Sequence, residues 1–277
     1  MLRKGEKMEC RIISDKVTAL KKTRKKLYTN IIWSEIEKYQ IEEVYENEKA
    51  IVFILTRREK KNIYFAATDI EGLKQLMVKV PKGGVLEYQC RKYNDMQDVF
   101  LDMGFEHYTN YIRVNYLYKE NPYGKETGKR KLLAELYDPD CCEYAEERDI
   151  DELDQITRNS FNPIGDDIFT YEEWKEVIAR KECLVIREDE SIVAYYVWRL
   201  EGKKYYSNII VNMGPANLSY TLERKVFDEM WKNGIHMIYA WFDEKNYKAL
   251  KRNNITVQKL SGVIYNSIYV KTNGGKL

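Results

Sequence analysis

The residues best placed to do chemistry are Gly214-Pro215-Ala216-Asn217-Leu218-Ser219, which follow the apolar run Ile209-Ile210-Val211. Leu218, Leu222, Val226, Met230 and Trp231 then recur at helical spacing, and Gly234 stops the pattern. A strand that turns tightly into a helix N-terminus aims unpaired backbone N–H groups and the positive end of the helix dipole at one point. Such a point suits a phosphate or pyrophosphate. Asn217 tolerates left-handed backbone angles, and Asn217 or Ser219 is able to cap the helix. An ordinary packed strand-turn-helix accounts for the same residues, as does a longer helix with Gly214 as cap and Pro215 as its first residue. A second apolar strand follows, and then Asn246-x-x-Ala249.

Other reactive side chains are sparse. The two histidines, His107 and His236, lie far apart in the sequence. The five cysteines are odd in number and lack CxxC spacing, so neither a disulfide framework nor a zinc site is expected, and no metal is assigned. Cys183 opens an apolar strand with no neighbouring His and reads as a buried thiol.

The elements that must position these residues form two series separated by Glu120 to Tyr137, where Pro122, Gly124 and Gly128 stand among charges. In the first series Met8 to Ile13 suits a strand and Asp15 to Glu37 helical matter. Ala50 to Leu55 and Ile63 to Ala67 form a hairpin, Thr68-Asp69 cap a helix to Val78, and Val85 to Cys90 is a strand. Met96, Val99, Phe100 and Met103 mark a helix stopped by Gly104, and Tyr108 to Tyr118 a further strand. In the second series a strand at Tyr144 leads to a helix with an acidic first turn and with Ile150, Leu153 and Ile156 on one side. A helix from Thr170 to Ala179 follows, then a hairpin of Leu184 to Ile186 with Ile192 to Arg199, and the strand from residue 205 to 212. The expected domains are 1–120, a linker at 121–137, and 138–277.

Composition bounds the class. The chain has 277 residues, 44% hydrophobic and 32% charged, with five prolines, as a folded protein with a sizeable core requires. Its apolar runs fall far short of the ~20 residues of a membrane-spanning helix. Charge interrupts every apolar stretch of MLRKGEKMECRIISDK, so no secretory signal is expected and a cytoplasmic location is. Residues 1–137 hold 27 Lys and Arg against 20 Asp and Glu, and residues 138–277 hold 19 against 24. The basic excess sits in Lys21-Lys22-x-Arg24-Lys25-Lys26, which reads as the solvated face of a helix, so nucleic acid is not an expected partner.

The order of these elements, with Phe100-Leu101-Asp102-Met103-Gly104-Phe105-Glu106 in the first series and Asn246-Tyr247-Lys248-Ala249 in the second, resembles the GCN5-related N-acetyltransferase (GNAT) superfamily. The resemblance covers nearly the whole chain as two tandem divergent copies. It implies an α/β (α+β) fold, each copy a mixed, mostly antiparallel central sheet flanked by helices. It further implies acyl transfer from acetyl-CoA, or another acyl-CoA, to a small amine or a peptide through the C-terminal copy. Ile209, Ile210 and Val211 would grip the pantetheine arm, Gly214, Asn217 and Ser219 would lie near the pyrophosphate, and Asn246 is carried over from the late-helix motif.

The family's Arg/Gln-x-x-Gly-x-Gly/Ala turn is altered here at every diagnostic position: Gly214 stands at the basic position, and Asn217 and Ser219 stand at the two small positions. The first copy runs into Thr68-Asp69-Ile70-Glu71 without a glycine-rich turn and is expected to bind no CoA. Acyl transfer also needs a base for the amine proton and an acid for the departing thiolate. Glu173, or Asp243-Glu244, is a candidate base. Asn253 stands where the family often has its Tyr acid, so Tyr247 and Tyr265 are candidate replacements. The altered positions equally suit a non-catalytic tandem module that binds a peptide or protein partner through the aromatics Tyr195, Tyr196, Trp198, Tyr205 and Tyr206. Aminoacyl transfer from charged tRNA is a third use that the resemblance leaves open.

Overall fold

A computed structural model describes residues 4–93, 95–121, 123, 132, 134–253 and 263–272. Two compact units divide the chain: Met1–Ile112 with Pro163–Gly165 and Phe242–Leu277, and Arg113–Asn162 with Asp166–Trp241. They are discontinuous, so this division differs from contiguous halves at 1–120 and 138–277: residues 242–277 group with the N-terminal stretch.

In the first unit, Ile13, Val17 and Leu20 give helix α1 (Lys4–Lys22) a buried stripe at helical spacing. Met8 to Ile13, expected as a strand, belongs to this helix, where Cys10 and Ile13 lie on the side of Val17 and Leu20 while Ile12 is exposed. Strand β1 (Tyr28–Thr29) and the short α2 (Trp33–Ile36) precede β2 (Ile41–Glu46), β3 (Ala50–Arg57) and β4 (Lys60–Ala67). The β3–β4 hairpin closes through Arg58 and Glu59, at φ 51° and 65°. Two adjacent left-handed residues match the right-handed twist of the strands, although neither is glycine.

Helix α3 (Ile70–Met77) starts at Asp69, whose carboxylate accepts the Gly72 N–H at 2.9 Å. Strand β5 (Val85–Cys90), helix α4 (Gln97–Asp102) and strand β6 (Phe105–Leu117) follow. Strand β12 (Ile264–Lys271) pairs antiparallel with β5, Tyr265 opposite Cys90 through Val270 opposite Val85. One sheet face packs Leu73, Leu76 and Phe100 against Val52, Ile54 and Phe65; the other packs the α1 stripe against Ile51, Phe53 and Leu55.

The second unit orders its strands as the end of β6, then β11 (Met237–Asp243), β10 (Lys204–Asn212), β9 (Ser191–Glu201), β8 (Cys183–Glu188) and β7 (Glu143–Tyr144). Helices α5 (Ile150–Ser160) and α6 (Tyr171–Ala179) cover one face, with Leu153, Trp174 and Val177 against Val185, Tyr195, Val197, Ile209 and Val211. Helix α7 (Ala216–Lys232) covers the other, setting Leu222, Val226 and Phe227 against Tyr196, Trp198 and Tyr205. The fold is a mixed, mostly antiparallel sheet flanked by helices, with β4–β5 and β10–β11 among its pairs running parallel. Among the described residues no helix is long and apolar enough to cross a membrane.

Candidate functional site

Strands β10 and β11 run parallel and pair from Lys204 opposite Met237 to Ser207 opposite Ala240, and their register ends there. On its other edge β10 stays paired with β9 as far as Asn212 opposite Ala194, with an irregularity between Ser207 and Ile209. A bulge of this kind bends one strand away from its neighbour. Among the described residues no strand pairs with the β11-side edge of residues 208–212. Ile209 and Val211 are buried under α5 and α6, while Ile210 is half-buried on the α7 side.

Asn212 builds the turn that follows. Its Oδ1 accepts the Gly214 N–H at 2.9 Å, and its Nδ2 donates to Pro215 O at 2.8 Å and to Ser219 Oγ at 2.9 Å. Pro215 is the N-cap of α7. The Leu218 N–H reaches Pro215 O at 3.1 Å. Ala216 and Asn217, at the first two helical positions, hold N–H groups that no residue within the helix can accept. A 17-residue helix adds its dipole at this end.

This end fits an acyl-CoA in part. The open β10 edge suits the amide-bearing arm, and two helix N–H groups suit a phosphate. The Gly214 N–H and the Ser219 hydroxyl are already engaged by Asn212. A Cβ built on Gly214 would lie 2.8 Å from Leu218 Cδ1, so Leu218 rests against the glycine's open side. Sequence reasoning passed over Asn212; an Asn two residues before a glycine is the signal for such an Asx turn.

The proposed proton carriers are distributed between the two units. Glu173 lies in the second, at the third position of α6, where its carboxylate accepts the Thr170 N–H at 2.9 Å and its own N–H donates to Thr170 Oγ1 at 3.2 Å. That is a capping box. Asn246, Tyr247 and Tyr265 lie in the first unit. Asn246 caps α8 (Tyr247–Arg252) by accepting the Ala249 N–H at 3.0 Å. Tyr247 is 78% exposed, whereas Tyr265 is buried on β12 with its ring edge-on to Tyr93 at 5.3 Å. Burial, with Cys90 and Glu244 adding to it, pushes the Tyr265 phenol upward. Asn253 is the C-cap of α8, its Nδ2 donating to Ala249 O at 2.9 Å.

The alternative bases are structural anchors of the first unit. Asp243 accepts Thr109 Oγ1 at 2.6 Å, and Glu244 accepts Asn110 Nδ2 at 2.9 Å and the Tyr93 hydroxyl at 3.0 Å. Tyr195, Tyr196, Trp198 and Tyr205 are buried in the two cores of the second unit. The Tyr196 hydroxyl donates to Ser207 Oγ at 2.8 Å and bonds the Tyr205 hydroxyl, and burial drives the Tyr205 phenol well above its usual range. Tyr206 stacks on Tyr239 at 4.8 Å. The Tyr239 hydroxyl donates to Glu201 at 2.5 Å, and its phenol is pushed up to about 12, by burial first and then by that carboxylate.

No protein-family model matches the chain, and no curated protein matches it. Among solved structures, a GCN5-related N-acetyltransferase from Sphaerobacter thermophilus is similar at 13% identity, over 80% of this chain and 76% of that one, with a TM-score of 0.52. A GNAT-family acetyltransferase from Colwellia psychrerythraea is 10% identical over 90% of this chain and 100% of that one, with a TM-score of 0.49. The fold assignment rests on the first of these and on the parallel pair that separates ahead of a capped helix. The chain has the fold of the GCN5-related N-acetyltransferases.

Proposed function

We propose that the chain is a CoA-dependent N-acyltransferase working through its second unit, with acetyl as the transferred group and a small amine or a peptide amine as acceptor. The observation that carries this reading is the β10 edge at residues 208–212, left open by β11 and running into the N-terminus of α7. Bound acyl-CoA would supply an activated thioester carbonyl. The backbone of Ile210, flanked by Ile209 and Val211, would hold its arm by strand-like hydrogen bonds, and the Ile210 N–H suits the oxyanion that forms as the amine attacks. Ala216 and Asn217, next to Gly214 and Ser219, would receive the pyrophosphate.

Glu173 is the proposed base for the amine proton. Tyr247 and Tyr265, the acids considered from the sequence, lie in the first unit, so no acid is assigned within the second. The two units are read as divergent tandem copies, because each contains parallel strands that pair at one end only and then lead into a helix. The test is release of free CoA thiol when the protein is mixed with acetyl-CoA and a panel of primary amines and amino-terminal peptides. Amine-dependent release supports the proposal, and its absence across the panel counts against it.

A second reading, a non-catalytic module for a peptide or protein partner, is favoured by the engagement of Gly214 by Asn212, by Leu218 at the glycine's open side and by Asn253 in place of a phenol. Such a module would bind no acyl-CoA even at millimolar ligand.

A further inference from the structure

The first unit contains its own separating pair of parallel strands. Strand β4 pairs with β3 along its whole length, from Arg57 opposite Lys60 to Ala50 opposite Ala67, but its pairing with β5 is confined to Asn62 opposite Val85. Backbone groups on the β5 side of Ile63 to Ala67 therefore need other partners, because these residues are buried.

The chain supplies them from residues 28–31. Tyr28 pairs with Ala67 and Thr29 with Ala66; since β3 already holds the opposite edge of both alanines, β1 lies on the edge that β5 leaves. The Asn30 N–H donates to Phe65 O at 3.3 Å, and its Oδ1 accepts the Phe65 N–H at 2.8 Å. Its Nδ2 donates at 2.9 Å both to Ile63 O on β4 and to Glu87 O on β5. One amide side chain thus ties together the two lips of the gap. Thr29 Oγ1 adds a bond to Phe65 O at 2.8 Å and accepts the Ile31 N–H at 3.1 Å.

The helix that follows is closed to anions in a second way. Asp69 places its own carboxylate on the Gly72 N–H at the start of α3, with Glu71 beside it. In the second unit no described strand pairs with the β11-side edge of β10 beyond Ser207.

We infer that Tyr28 to Ile31 fill the gap between β4 and β5 in place of a ligand, and that the first unit consequently takes no acyl-CoA. The filled gap stands independently of the acyltransferase reading; the statement about acyl-CoA rests on that reading. The same splay that offers a free edge in one unit is satisfied in the other by an extended segment whose Asn side chain serves as a bridging amide.

Hydrogen exchange read by mass spectrometry on the full chain tests this, with and without acetyl-CoA. Asn30→Ala should speed exchange across residues 63–68 by roughly tenfold or more, because the Phe65 N–H loses its acceptor. Thr29→Val, which keeps the shape and removes two weaker contacts, should give a smaller increase in the same segment and serves if the alanine variant does not fold. In the unaltered chain acetyl-CoA should slow exchange within 209–219 and leave 63–68 unchanged. Unchanged exchange at 63–68 in the variants, or slowing there on adding acetyl-CoA, would overturn the inference. If acetyl-CoA slows exchange nowhere, the acyltransferase proposal fails, while the variants still decide whether Tyr28 to Ile31 hold the edge of β4.

Discussion

Asn212 and Glu173 carry opposite lessons about what a polar side chain at a candidate site is for. Asn212 satisfies three groups of the turn before α7, so its amide sets the shape of the region proposed to receive a pyrophosphate. Asn212→Ala should lower stability by about 1–2 kcal/mol, read from denaturant melts, and weaken acetyl-CoA binding; unchanged binding would mean that the turn does not shape the site. Glu173 already serves the Thr170 N–H as a cap, a role the carbonyl of a Gln also fills. Glu173→Gln should therefore leave the melt nearly unchanged while lowering kcat by about a hundredfold, the scale of a lost general base. A kcat equal to that of the parent would confine Glu173 to capping. Cys183 is 1% exposed, and burial followed by the neighbouring Asp149 drives its thiol far above its ordinary range. A thiol reagent should label Cys183 only after unfolding, and labelling of the native chain would contradict its place in the core.

At the scale of elements, most of the fold was legible because local pattern and tertiary burial agree. The β3–β4 and β8–β9 hairpins stood out from their apolar runs even though their turns, Arg58-Glu59 and Asp189-Glu190, hold left-handed backbone without glycine. Capping chemistry placed α3 at Asp69, and the apolar spacing of Trp174, Val177 and Ile178 placed α6, which the structure caps at Thr170. Met8 to Ile13 misled, because a short apolar run has no period of its own until Val17 and Leu20 extend it into a helical stripe. The candidate turn was legible as strand, turn and helix, but the roles of Asn212 and Asn30 were not. Each acts by bridging groups whose positions depend on where a neighbouring strand stops. Strand β12 was hidden for a related reason: its partner β5 is remote in sequence. A fragment of residues 138–277 would carry β12 without β5 and lack β6 altogether, so it should melt well below the full chain. A fragment as stable as the full chain would restore the contiguous boundary.

For the whole molecule, the two units answer the same structural problem in different ways. Each has a parallel pair that separates; the first fills the gap with Tyr28 to Ile31, and the second leaves the edge of β10 beside the N-terminus of α7. On this account a chain with two separating strand pairs has one acyl-CoA site, and the altered turn around Gly214 makes its grip weaker than a glycine-rich turn would give. Titration calorimetry of the full chain with acetyl-CoA is the most direct test. Saturable heat with one site per chain, lost when Asn212 is replaced by Ala, is the predicted result; no heat at millimolar acetyl-CoA, or two sites per chain, would contradict it.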